Sequence, residues 1–198
     1  MTAGDIQVFK PSVRAYVQNT GAAIIIGLPL LTALYLTSGD KPLMRLAIAI
    51  AALGSIGGVL LYIARARVYV TPDSLGKRGF GFTKWTPRAA VHRGLLVRSL
   101  SAGKSSPAAA HLFLFAPDSA LEMRLYGAIW GLPQLQAVAD ALGIEPVVYS
   151  SIDIAALRDL EPTALNWGES NPKALAAIVL GAFAVVAVVV AVILYSTR

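Results

Sequence analysis

No cysteine occurs among the 198 residues, so disulfides, thiolate metal sites and a cysteine nucleophile are all excluded. Charge is scarce too: 14% of residues are Asp, Glu, Lys or Arg, where a soluble domain carries about 25%. The acidic residues are few and mostly isolated, and no paired-carboxylate arrangement for acid–base work stands out. His92 and His111 are the only histidines; they lie far apart, with no acidic cluster beside them, which is not metal-ligand spacing. Serines 99, 101, 105 and 106, with Gly103, Lys104 and Pro107, read as a solvated loop. No glycine elbow surrounds a serine, and neither GxGxxG nor GxxxxGK[ST] is present. The sequence therefore predicts no catalytic residue, no cofactor and no metal.

What the chain has in quantity is apolar surface. Hydrophobic residues make up 56% and the mean hydropathy is +0.65. Three segments approach the roughly 20 residues that span a bilayer. The clearest, "ALAAIVLGAFAVVAVVVAVILY" (174–195), contains no charge or amide, with Asn171 placed to cap it and Pro172 suited to its first turn. Trp167 and Tyr195 stand near its ends, where aromatic rings anchor at a membrane interface. The second, 46–64, is also uncharged, with Gly54, Gly57 and Gly58 permitting close helix approach. The first, 21–36, is short and reaches spanning length only by taking in 17–20 and Thr37; Pro29 predicts a kink in it. A signal peptide competes for this segment, with Lys10 and Arg14 as its basic region. The second apolar segment begins within about ten residues, which favours a helical hairpin over cleavage.

Basic residues are unevenly placed. Residues 65–104 hold nine of them (Arg65, Arg67, Lys77, Arg78, Lys84, Arg88, Arg93, Arg98 and Lys104) against Asp73 alone. Between the first two segments lie Lys41 and Arg45 with Asp40, so the contrast is imperfect, and 147–173 is acidic on balance. The positive-inside rule puts the N-terminus and the region after the second helix in the cytoplasm, and the C-terminus outside. The basic stretch either fixes topology alone or lies against anionic headgroups, where each cation near the surface contributes about 1 kcal/mol.

About 110 residues separate the second and third segments, enough for one small domain. Short apolar runs at 68–70 and 80–85, then "GLLVRSL" (94–100), "HLFLFAPDS" (111–119) and "ALEMRLYG" (120–127), predict antiparallel strands separated by Pro-Asp-Ser and glycine turns. In the last, Leu121, Met123 and Leu125 share one face, with Glu122 and Arg124 on the other. An amphipathic helix follows, with Pro133 in its first turn, Gly143 as its stop and Leu132, Leu135, Val138, Ala139 and Leu142 along one side. Near 151–161 a short helix is predicted, capped by Ser151 or Asp153 and followed by the solvated Asp159 and Glu161.

Three stretches, "RARVYVTPDSLGKRG…TKWTPRAAVHRGLLVRSL", "LFLFAPDSALEMRLYGAIW" and "LPQLQAVADALGI", together resemble the bacterial PH-like domain often found beside membrane helices. The matching features are the Val-Thr-Pro-Asp-Ser turn, Lys77-Arg78, the Trp-Thr-Pro-Arg-Ala-Ala-Val stretch and the closing helix that ends in Leu-Gly. The resemblance covers about 65–145 and implies a half-open β-barrel capped by that helix, with no catalytic residue. The whole arrangement is also similar to small actinobacterial membrane proteins of unknown function.

"RGFGFTKW" (78–85) reads almost as the RNP1 signature of RNA-recognition domains, in which exposed aromatic rings stack on bases. An RNP2 strand would have to lie where the second apolar segment is, and no helix intervenes as that fold requires. The string is expected instead to place Phe80 and Phe82 inside the barrel, with Gly79 and Gly81 allowing a bend.

The expected organisation is an α+β membrane protein with three transmembrane helices and a PH-like antiparallel β-barrel capped by a C-terminal helix. Its parts are a cytoplasmic tail (1–16), a transmembrane hairpin (17–64), a cytoplasmic PH-like domain (65–145), a connecting segment with a short helix (146–173) and a terminal spanning helix (174–195). The expected role is a non-enzymatic interaction or scaffold module at the inner face of the cell membrane, an accessory subunit of a membrane complex. The alternative is a module that senses anionic lipid through Arg65, Arg67, Lys77, Arg78 and Lys84. The expected partners are the lipid bilayer and a protein partner or a second copy of the chain, with no nucleic acid.

Overall fold

The computed structural model describes residues 6–39, 41–101 and 109–166, with positions 169, 171 and 174. The third apolar segment, apart from Ala174, and the serine-rich loop at 102–108 lie outside the described residues. The chain divides into two compact units, 1–153 and 154–198.

The first unit opens with a short strand, β1 (Gln7–Phe9), and then helix α1 (Val13–Thr37). Ser12 starts that helix: its Oγ accepts from the Ala15 N–H at 3.2 Å, the bond of an N-cap, while its own N–H donates to Ile129 O at 2.9 Å. α1 continues through Pro29. Gly39, at φ +56°, turns the chain into helix α2 (Pro42–Arg65), which starts on a proline as first helical turns favour. α1 and α2 pack against each other.

Of the described helices, α2 alone is long and apolar enough to cross a membrane. None of its side chains is buried; Leu43, Leu46, Ile50, Leu53, Ile56 and Leu60 are all more than half exposed. The start of α1 packs on the domain. Of the three expected spans, α2 is the one candidate among the described residues, and 174–195, apart from Ala174, lies outside them.

Directly after α2 come β2 (Arg67–Val70), β3 (Ser74–Arg78) and β4 (Thr83–Pro87). They form an antiparallel sheet in the order β1-β2-β3-β4. The β2–β3 turn is closed by Thr71, whose N–H donates to Ser74 O at 2.9 Å and whose Oγ1 accepts from the Ser74 N–H at 2.9 Å. The residues expected to form a free N-terminal tail are therefore partly an edge strand, with Phe9 opposite Val68.

A 3-10 turn, Arg88–Ala90, leads to β5 (Arg93–Ser101), β6 (Ala109–Phe115) and β7 (Leu121–Tyr126). Then come a helical turn α3 (Gly127–Trp130), helix α4 (Leu132–Ala141) and strands β8 (Val147–Tyr149) and β9 (Ile152–Asp153). The second sheet runs β7-β6-β5-β8, with β9 also on β5; β8 and β9 are parallel to β5, so the sheet is mixed.

No closed barrel forms among the described strands, contrary to the expectation. Pro87 has no N–H to carry the ladder onward, and the turn after it redirects the chain before β5 begins. The two sheets instead face each other across side chains. Val68, Val70 and Leu75 of the first sheet meet Leu96, Leu112, Leu114, Met123 and Leu125 of the second, and Trp130, Leu135, Val138, Ala139 and Leu142 close the cluster. The amphipathic helix thus turns its expected face inward, ending at Gly143 (φ +64°). Gly127 has to be glycine for space: a Cβ there would lie 2.5 Å from Ala110 O.

In the second unit, α5 (Ile154–Leu160) buries Leu157, and Asp159 lies on it with Glu161 just past its end. Asn166 and Glu169 exchange backbone-to-side-chain bonds of 3.1 and 2.9 Å, the reciprocal pattern of a capping box.

Candidate functional site

The register of the first sheet decides which cations meet. Arg67 stands opposite Arg78, and Lys77 opposite Lys84. Residues facing each other across an antiparallel pair share a face, and the next row alternates. Arg67 and Arg78 therefore lie on the outer face, and Lys77 and Lys84 on the side that carries Val68 and Leu75. β2 leads away from α2, β3 returns and β4 leaves again, so all four cations, with the exposed Arg65, gather at the sheet's α2 end.

The five differ in what holds them. Arg67 folds back on the helix, donating to Ala66 O at 2.6 Å and Ile63 O at 3.4 Å, where a cation complements the free carbonyls and the helix dipole. Lys77 turns inward and donates to Arg124 O at 2.7 Å. Burial first, then the nearby Arg124 and Lys84 charges, lower its pKa from the ordinary lysine value. Its ammonium is engaged inside the domain. Arg65 and Lys84 are exposed, and Arg78 is half-buried with its Nε unpartnered.

Phe80 and Phe82 are not inside. The last pair of the β3–β4 hairpin is Arg78 with Thr83, and 79–82 form its tip. Phe82 is 99% exposed and Phe80 is 54% exposed. The expectation failed because it ran one strand from 80 to 85; the two glycines end β3 early and make a loop of what looked like an alternating strand. The rings do not form an open platform on a sheet either, as RNA stacking requires. Phe80 leans on Tyr62 in the last turns of α2, with ring centroids 5.0 Å apart, and a Cβ on Gly79 would sit 3.8 Å from the same ring.

Farther along the outer face, Val8, Tyr69, Gly76 and Trp85 form one transverse row. Trp85, half exposed, lies over Gly76 and packs against Tyr69 at 5.9 Å. Tyr62 was not singled out from sequence, and Trp85 entered as the first residue of the Trp-Thr-Pro-Arg-Ala-Ala-Val stretch, not as a site residue. Trp85 carried a signal in its alternation with Lys84 and Thr86, whereas Tyr62 is merely one aromatic within an apolar helix.

The second sheet holds a buried aromatic cluster. Arg124 lies over Phe113 at 4.9 Å and Tyr126 at 4.5 Å, and Arg93 over Phe115 at 4.3 Å. His111 is buried between Phe113 and Tyr126, with Nδ1 3.0 Å from Ala109 O; His92 is exposed. Among the described residues, no three of His, Cys, Asp or Glu come together as metal ligands would. Compared with protein-family models, with curated proteins and with solved structures, the chain matches none.

Proposed function

We propose that this chain is a membrane-anchored, non-enzymatic module whose α+β domain rests on the cytoplasmic leaflet and engages anionic headgroups with the cationic end of its first sheet. The observation that carries the proposal is α2, which is apolar on every side, has no buried side chain and runs straight into that sheet end. Exposing so continuous an apolar surface to water is what soluble proteins avoid. Its uncharged stretch, 46–64, measures about 28 Å at ~1.5 Å per residue, close to the ~30 Å hydrocarbon thickness. Arg45 and Tyr35 stand at one end, 5.7 Å apart as a cation over a ring, and Tyr62 with Arg65 at the other. Both are interface pairings. The segment 174–195 adds a further anchor in this reading, with its C-terminus outside. A PH-like character for the domain is supported by two antiparallel meanders followed by a closing helix; the parallel strands β8 and β9 are additional to that pattern.

Thermal unfolding in nanodiscs tests the lipid engagement. Melting is expected to rise when anionic phosphatidylglycerol replaces part of the phosphatidylcholine. The gain is expected to shrink at 1 M salt, where screening acts over about 3 Å instead of the ~8 Å of physiological salt, and in Arg65→Gln/Lys84→Gln. Equal melting in both lipids would remove the proposal.

A second reading, docking of a protein partner or another copy of the chain, is favoured by the half-exposed Val8–Tyr69–Trp85 row. Trp85→Ser would then release a copurifying partner or a dimer in mild detergent without lowering the lipid-dependent melting.

A further inference from the structure

We infer that the 79–82 hairpin tip is a membrane-dipping loop, which inserts Phe80 and Phe82 into the headgroup–acyl boundary of the same leaflet that α2 crosses. The inference rests on the membrane reading of α2 and goes beyond it by adding an attachment point outside the helices.

Three observations point the same way. First, the tip's depth is set by contact: Phe80 and Gly79 both lie against Tyr62, which precedes the charged end of α2 by three residues. At ~1.5 Å per residue that is about 4.5 Å from Arg65 toward the helix middle, which is the interfacial zone. Second, Phe82 has almost nothing around it in the chain and is 99% exposed, while Phe80 keeps more than half of its surface free. Phe82, held at the hairpin tip after Gly81, therefore has no packing role within the domain. Third, the charge around the tip matches an anionic surface. Arg78 immediately precedes the loop, Lys84 follows it by two residues, Arg65 ends α2, and no acidic residue occurs from 74 to 117. Apolar side chains flanked by cations are the composition of segments that lie in the interface, buried by roughly 5–10 Å.

The occupant of this apolar tip is therefore lipid. A protein groove would have to reach residues that sit level with the end of a bilayer-crossing helix.

Site-directed spin labelling of the full chain in nanodiscs of phosphatidylcholine and phosphatidylglycerol tests this directly, and the cysteine-free sequence makes each label unique. A side chain at Gly81 meets open space, so Gly81→Cys carries the label without disturbing either phenylalanine. Controls are Leu53→Cys in the middle of α2 and His92→Cys in the exposed connection beyond β4. Expected is a Gly81 label shielded from a water-soluble nickel relaxant and accessible to oxygen, at a depth of roughly 5–10 Å, that moves outward in Phe80→Ser/Phe82→Ser. A Gly81 label as open to nickel as the one at His92, with Leu53 deep in the bilayer, would overturn this inference alone. A water-exposed label at Leu53 would overturn the membrane reading on which it stands.

Discussion

Lys77 shows how a single side chain can look the same in sequence as its neighbours and differ from them in physics. It stands in a run of cations, but its β position turns it toward the core, where it spends its ammonium on Arg124 O. Burial disfavours the charged form, so the folded-state pKa lies below the 10.5 of an ordinary lysine. Below the folded value both folded and unfolded chains hold the proton, and the burial penalty is at its fullest. As pH rises from there to 10.5 the folded state sheds its proton first, and the stability owed to this group increases. Lysine-selective carbon NMR should show one resonance, absent in Lys77→Met, with a midpoint below 10.5; a midpoint at or above that value would contradict the burial. The five cations were legible as a group because charge is written in the residue letters. Their separate fates were not, since facing in or out depends on a register that shifts every side chain if it slips by one. The same limit explains Phe80 and Phe82, which a strand begun three residues too early carried inside. It also hid Arg124, whose alternation with Met123 and Leu125 suggested water on its side, whereas the second sheet is covered on both faces.

Among the elements, those with strong periodicity were read correctly. α4 puts its predicted leucines and Val138 in the core, between a proline start and a glycine stop. Strands also form within the stretches expected at 94–100, 111–119 and 120–127, bounded by turn residues whose chemistry is local. β3 was read as part of a turn, since Leu75 is its one large apolar residue, and β1, β8 and β9 were missed too. These last three are two or three residues each and gain their identity only from the strand they lie beside, β2 or β5. The barrel failed for a related reason: whether consecutive meanders close or split depends on the linking turn. α2 offers the sharpest test at this scale. Leu53, 70% exposed, lies near the middle of its uncharged stretch. In a bilayer Leu53→Arg should cost about 2.5–3.5 kcal/mol of insertion, read as a loss of protein that resists alkaline carbonate extraction. If α2 faced water, the added charge would instead raise the yield of soluble, monodisperse protein, and that outcome would end the membrane assignment.

For the molecule as a whole, both ends of the helical hairpin are tied to one domain: Ser12 to Ile129 at the start of α1, and Arg67 with β2 at the end of α2. If α2 crosses a bilayer, a hairpin held in this way returns to the side from which it left. Lys41→Cys, at the far turn, and His92→Cys, in the domain, are therefore expected on opposite faces of the membrane. A membrane-impermeant maleimide should label Lys41→Cys on intact cells and His92→Cys only after permeabilisation; labelling of both from one side would refute the arrangement.

The pairing of Phe9 with Val68 has a temporal consequence. Neighbours about 5 Å apart in the finished sheet are made some 60 residues apart, and at a ribosomal pace of roughly 5–20 residues per second the first strand waits on the order of 3–12 s for its mate. During that interval the intervening oily helices emerge and must find their own solvent before the sheet can be completed. The helical hairpin is spliced into the domain rather than appended to it. Freeing the domain as a soluble piece would thus require rejoining two strands, and trimming the N-terminal segment would instead strip the first sheet of its edge.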